Sequence, residues 1–331
     1  MSFLAHATWN KKMVDKTGIY IAAADIGATH VRSAVFDGDG RCITRQKELL
    51  CRDGPYGRAV TGQVIRMLRE VCDAAGMVPD AVGIATAGPL SAGKESICRS
   101  PNMPYAKIPL KAPLEAAFPC PVSILNDASA GAYYEYHSGT GKGCRNLVYL
   151  TISTGIGCGV IADGRLIEGA GGNAGEVGHF CVDTVYNLPC GCGGAGHWEA
   201  YASGSGMPRF FRAWCERNGK KGVSTSESGV TAESLCAVAR RGDEVAVTFF
   251  RELAVINGRG LSGIIAAYAP ERIVVGGPVA AENPDIILAH AREYIDEYLP
   301  LPEICLSSAD GMAPLVGAAI FAGEGLDDRT E

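Results

Sequence analysis

Two stretches of the chain share one pattern of apolar and polar positions. Residues 19–43, IYIAAADIGATHVRSAVFDGDGRCI, run as apolar strand, glycine-containing bend, strand, Asp-Gly turn, strand. Residues 147–167, LVYLTISTGIGCGVIADGRLI, repeat that order. Each closes on an Asp-Gly pair, which favours a tight hairpin. Two such units predict a duplicated domain.

Between and beyond them the apolar period changes. Residues 62–75 place Val64, Ile65, Leu68, Val71 and Cys72 at helical spacing. Short apolar runs at 81–85 and 122–125 predict buried strands, and 128–136 predicts a helix opened at Asp127. Helices are expected over 231–241, 244–269 and 284–298, with a strand at 272–275 ending in Gly276-Gly277. An apolar helix at 313–322 precedes a charged tail expected to be disordered. Alternating strands and helices give an α/β fold. The expected layout is a 1–18 extension, a smaller domain at 19–127, a larger one at 128–312 and a tail at 323–331, with 313–322 packing back on the smaller domain.

Composition narrows the class. The chain has 331 residues, 47% apolar and 20% charged, which suits two globular domains. A net charge of −6 argues against a protein-wide nucleic-acid surface, so no nucleic-acid partner is expected. No apolar run approaches a membrane span, and the first residues have no signal-peptide layout. Thirteen scattered cysteines, an odd number, fit a reduced, cytoplasmic chain.

Three glycine bends carry candidate chemistry. Asp25-Ile26-Gly27-Ala28-Thr29 follows a strand. Its glycine admits a phosphate close to the backbone, Thr29 offers a hydroxyl, and Asp25 offers oxygen to Mg²⁺. An ordinary hairpin with an incidental acid has the same look. Ser153-Thr154-Gly155-Ile156-Gly157-Cys158-Gly159, with three glycines at alternate positions, is a richer phosphate nest, or a glycine-relieved strand crossing. Gly276-Gly277 either faces a nucleotide or merely ends its strand. Together they fit a nucleotide held by a duplicated α/β chain. No GxxxxGK[ST] run or protein-kinase motif set is present.

Asn126-Asp127 stands between an apolar strand and a helix. Asp127 is either that helix's N-cap or a carboxylate that deprotonates an attacking hydroxyl, with Asn126 bonding a neighbouring sugar hydroxyl. His179, Cys190, Cys192 and His197 form a candidate four-ligand zinc site in a glycine-rich loop, with Cys181 as a competing ligand, or else two free thiols beside unrelated surface histidines. Glu176 and Glu199 flank it, as acceptors for sugar hydroxyls or as solvated acids.

These residues lie in segments that resemble the ROK family (repressors, open reading frames, kinases), in its glucokinase-like branch. The likeness runs from about residue 19 to 322. It rests on ADIGATHVRSAVFD, GPL with SPNMP, ILNDASAGAYYE, LTISTGIGCGVIADGRLIEGAGGNAGEVGH and CGCGGAGHWEAYASG. The resemblance implies a duplicated actin-like ATPase (ribonuclease H-like) fold with an active-site cleft between its domains. It implies ATP and Mg²⁺ at Asp25, Gly27, Thr29, Thr154, Gly155, Gly157, Gly276 and Gly277. Sugar contacts would come from Asn102, Asn126, Asp127, Glu176, His179 and Glu199, with Asp127 as base. His179 would serve zinc and sugar through different ring nitrogens.

A hexokinase or glucokinase acting on a 6-hydroxyl is therefore expected, as a homodimer. An N-acetylmannosamine, N-acetylglucosamine or fructose kinase is the alternative within the family. A non-catalytic sugar sensor is the alternative outside that chemistry. Two departures stand out: His197 occupies a usual cysteine position, and Gly27-Ala28-Thr29-His30 replaces Gly-Gly-Thr-Lys. The family's repressors carry an N-terminal winged helix-turn-helix, for which about 18 residues before the first strand are too few.

Overall fold

The first hairpin unit forms strands β1 (Tyr20–Ile26), β2 (His30–Asp37) and β3 (Cys42–Leu49) in a computed structural model that describes residues 18–54, 56–100, 103–221 and 229–327. Helix α1 (Arg58–Ala75) follows, beginning four residues before the apolar pattern predicts. Next come β4 (Ala81–Thr86), β5 (Ser96–Cys98), β6 (Lys107–Pro109), α2 (Lys111–Ala117), β7 (Val122–Asn126) and α3 (Asp127–His137). The sheet order is β3-β2-β1-β4-β7.

The second half repeats that order. Strands β8 (Leu147–Ile152), β9 (Ile156–Ala162) and β10 (Arg165–Leu166) form its hairpins. Helices α4 (Glu199–Ala202), α5 (Met207–Arg217), α6 (Ala232–Arg240) and α7 (Glu244–Tyr268) lead to β11 (Arg272–Gly276). Short helices α8 (Pro278–Ala281) and α9 (Pro284–Ile287) precede β12 (Glu303–Leu306) and α10 (Ala313–Asp327). The second sheet runs β10-β9-β8-β11-β12. Three hairpin strands followed by two crossover strands, twice, are the duplication that the repeated pattern predicts.

Both faces of β1 are covered, so it reads as one apolar run rather than an alternation. Ala22, Ala24 and Ile26 pack with Val60, Val64, Met67 and Leu68 of α1. Ile21 and Ala23 face Leu315 and Ala319 of α10. A Cβ on Gly317 of α10 would lie 1.8 Å from the Ala130 carbonyl oxygen of α3. Gly317→Ala must push the two helices apart and is expected to cost about 1–3 kcal/mol. An unchanged melting temperature would contradict this packing.

The chain divides into two compact units. The first comprises residues up to Tyr149, Gly159–Gly175 and the stretch from Ser307; the second comprises Leu150–Cys158 and Glu176–Leu306. Residues 128–149, 159–175 and 307–312, assigned to the larger domain by the sequence reading, therefore fall in the first unit, where α3 lies against α10.

Two segments depart from the expected elements. The helix expected over 284–298 is α9 followed by turns and a 3₁₀ turn at Ala291–Tyr294. Tertiary bonds hold the segment instead: the Asp296 backbone N–H donates to Ser262 Oγ at 2.9 Å, and the Arg292 side-chain Nη2 donates to the Ile304 carbonyl at 2.6 Å. Ile287, Ala291 and Ile295 are still buried, so the helical period reports burial and not helix. At the C-terminus, α10 continues through the first residues of the expected tail to Asp327, with Glu324 held by Tyr133 and His137.

Candidate active site

Strands β1, β4 and β7 are parallel, and their register sets Ile26, Thr86 and Asn126 level. Asp25 and Asp127 therefore emerge at the carboxyl ends of strands in one sheet, where open α/β sheets bind ligands. Asp25 is 6% exposed and pairs with Arg32 at 2.9 Å. Burial raises its pKa to about 6; Arg32 pulls it down and the Asp127 charge pushes it up. A carboxyl raised in this way stabilises the fold while protonated, and that contribution is lost as pH rises through about 6. The single paired cation, Arg32, does not offset the burial of this carboxyl.

The bend after Asp25 is closed by the Gly27 N–H donating to the His30 carbonyl at 2.9 Å. Ala28 is not among the residues with left-handed φ, so a side chain there leaves the turn unstrained. Thr29 is exposed, and its carbonyl accepts from the Leu50 N–H at 2.9 Å.

Asn126, not Asp127, is the N-cap of α3. Its Oδ1 accepts from the Ala128 and Ser129 N–H groups at 2.9 and 3.4 Å. Asp127 is the first helical residue, with Oδ1 accepting from the Ala128 N–H at 2.8 Å. The cap is thus satisfied by its neighbour. Asp127 is partly exposed, yet the protein around its carboxyl raises its pKa; the Ala128 N–H opposes this. Asn102 lies outside the described residues.

In the second unit, the bend between β8 and β9 is approached by two other predicted positions, Glu199 and Gly277, and by Ser205. The Ile156 N–H donates to Glu199 Oε2 at 2.9 Å, and Ser205 Oγ donates to the Thr154 carbonyl at 2.8 Å. Gly277, with φ of +84°, leaves only 2.4 Å between a notional Cβ and the Ile152 carbonyl oxygen. Glycine is required there by both conformation and space. Thr154, Gly155, Gly157, Glu199, Gly276 and Gly277 thus line one end of the second sheet.

His179, Cys190, Cys192 and His197 present four ligand atoms within 4.8 Å of one another. His179 Nδ1 lies 3.7 Å from Cys190 Sγ, and His197 Nδ1 lies 3.2 Å from Cys192 Sγ. Two sulfurs and two imidazole nitrogens so gathered fit a tetrahedral zinc ion. The other nitrogen of His179, Nε2, faces Glu176 at 3.7 Å.

Sequence reasoning missed the residue that holds this loop. Asp183 accepts from the Val185, Tyr186 and Asn187 N–H groups and from the Tyr201 hydroxyl, all within 3.0 Å. Burial alone would raise its pKa, but these donors bring it below the ordinary value. Its one sequence signal is an Asp preceding a non-periodic stretch, the setting of an Asx turn.

Comparison with known proteins covers nearly the whole chain. The ROK family model matches residues 21–324. A glucokinase of Pyrobaculum calidifontis is 33% identical, the match covering 90% of this chain and 93% of the relative. An N-acetylmannosamine kinase of Citrobacter koseri is 32% identical, over 91% and 97%. The crystal structure of a ROK family glucokinase from Streptomyces griseus, in complex with glucose and AMPPNP, superposes with a TM-score of 0.77 at 31% identity. That match covers 92% of this chain and 100% of the solved one. The twice-repeated sheet order is that of the two-domain actin-like ATPase fold. From the hairpin bends to the Cys/His loop, sequence and architecture agree that this chain belongs to the ROK family.

Proposed function

We propose that this protein is an ATP-dependent sugar kinase that transfers the γ-phosphoryl group of ATP to the 6-hydroxyl of a hexose, with glucose as the first candidate. The observation that carries the reading is the near end-to-end similarity to glucokinases, joined to a carboxylate at Asp127 left available by the Asn126 cap. Asp127 accepts the proton of the 6-hydroxyl as its oxygen attacks the γ-phosphorus. The bond from that phosphorus to the bridging oxygen breaks, and ADP leaves. Phosphoryl transfer asks mainly for positioning and charge stabilisation. Asn102, Asn126, Glu176, His179 and Glu199 are assigned to the sugar hydroxyls. Gly27, Thr29, Thr154, Gly155 and Gly157 are assigned to the phosphates, and Gly276 and Gly277 to the adenosine side.

Asp25 would hold Mg²⁺, directly or through water, and bound there the ion would supply positive charge against the phosphates. Zinc at the Cys/His cluster would fix the orientation of His179, whose Nε2 is then directed away from the metal. A cytoplasmic homodimer completes the reading; sedimentation at micromolar protein checks the dimer. Among the described residues no helix is long and apolar enough to cross a membrane.

An ADP-release assay with Mg²⁺-ATP and a panel of glucose, mannose, fructose, N-acetylglucosamine and N-acetylmannosamine tests the proposal. Glucose-dependent release is expected to be the strongest. The similarity to an N-acetylmannosamine kinase favours that sugar as the second reading. No sugar-dependent release, in folded protein, would refute both.

The pH profile follows from the raised carboxyls. Proton transfer requires ionised Asp127, and cation binding requires ionised Asp25. Both pKa values are shifted upward. The acid limb of kcat/KM is therefore expected above the ordinary aspartate value of about 4. Full activity maintained down to pH 4 would contradict the assignment.

A further inference from the structure

The first phosphate-binding bend carries a cation that the assigned donor residues do not include. Arg52 lies beyond β3, and its Nη2 donates to the Ala28 carbonyl oxygen at 2.8 Å. Ala28 sits between Gly27 and Thr29 of the proposed phosphate site. The backbone runs alongside as well, since the Leu50 N–H bonds the Thr29 carbonyl. The guanidinium is thus tied at one nitrogen to the middle of the bend.

Of the other cations near this bend, Arg32 is committed and His30 weakly charged, while Lys47 is exposed and sits beside His30 with no side-chain bond to the bend among the described residues. Arg32 pairs with Asp25 at 2.9 Å and also donates to the Gly311 carbonyl at 3.1 Å. His30 ends the bend, where the family pattern has lysine. Burial, with Lys47 and Arg32 nearby, lowers its pKa below the usual histidine value, so it carries little charge at neutral pH. Arg52 is exposed, and among the described residues no carboxylate pairs with it. A guanidinium has five donors in a planar fork suited to phosphate oxygens. One nitrogen is used on Ala28, which pre-orders the side chain while other donors stay available.

We infer that Arg52 is a phosphoryl-donor-binding residue, which contacts the terminal phosphates of ATP from its anchor on the Ala28 carbonyl. The inference rests on the kinase reading for its ligand and adds a positive charge that the family-derived residue set does not contain. A contact made in both bound and reacting states affects nucleotide affinity more than turnover.

The test measures binding of AMPPNP with Mg²⁺ by calorimetry, for the wild-type protein and for Arg52→Gln and Arg52→Lys. Glutamine retains an N–H that can bond the Ala28 carbonyl but has no charge; lysine retains the charge. A charge-assisted phosphate contact predicts that Arg52→Gln weakens AMPPNP about tenfold or more. Arg52→Lys should recover part of that loss. KM for ATP should follow the same order, with KM for the sugar little changed. Equal AMPPNP affinity in all three proteins would overturn the inference and leave the kinase reading intact. Equal loss in both variants would assign Arg52 to shaping the bend alone and would also overturn it. Absence of AMPPNP binding by the wild-type protein would refute this inference along with the nucleotide site, whereas binding without sugar phosphorylation would count against the kinase reading only.

Discussion

Asp127→Asn is expected to lower kcat by about 10²–10⁴-fold, the usual contribution of a positioned general base. Asparagine keeps the shape of the side chain and can leave the Asn126 cap undisturbed, since the cap bonds to Ala128 and Ser129 come from Asn126. The loss should therefore fall on kcat, with little change in the KM values or the melting temperature. The substitution also removes a carboxyl whose charged form the surrounding protein disfavours, so no loss of stability is expected. Activity within a few-fold of wild type would eliminate Asp127 as the base.

The second large effect concerns zinc. The purified protein is expected to carry about one zinc per chain, as a closed four-ligand site would. Stripping it with a chelator should lower the melting temperature by on the order of 10 °C, the shift that about 4 kcal/mol produces in a domain of ~200 residues. It should also raise KM for sugar more than KM for ATP. The reason lies in His179, whose Nδ1 faces Cys190 while its Nε2 faces Glu176. Without a metal, that ring loses its fixed orientation. His197→Ala should lose zinc, and His197→Cys should retain it, since thiolate and imidazole are both competent ligands. A metal-free protein with unchanged stability and unchanged sugar KM would refute the assignment.

Much of this was legible in the chain because its signals are local. An Asp-Gly hairpin turn, a Cys-x-Cys pair and a glycine flanked by hydroxyls each owe their geometry to a few neighbouring residues. The matching sheet orders follow from two such local units. What escaped was decided by distant partners. Whether Asp127 or Asn126 caps α3 depends on side-chain rotation, and either residue type can do it. The apolar period of 284–298 is real, but bonds to α7 and β12 break the helix it suggests. Glu324 lies within α10, where the Tyr133 hydroxyl of α3 donates to it and His137 pairs with it, a pairing with no trace in the tail's own composition. Arg52 could not be connected with Ala28 from spacing alone, since 24 residues separate them.

In the proposed mechanism Asp127, and not a neighbouring acid, deprotonates the sugar. The most direct test is the pH dependence of single-turnover phosphoryl transfer in wild type and Asp127→Asn, with saturating Mg²⁺-ATP and glucose. The wild type is predicted to show an acid limb, and the variant a much slower transfer in which the limb assigned to Asp127 has disappeared. A variant that retains both the rate and the limb would place the base elsewhere and contradict the mechanism.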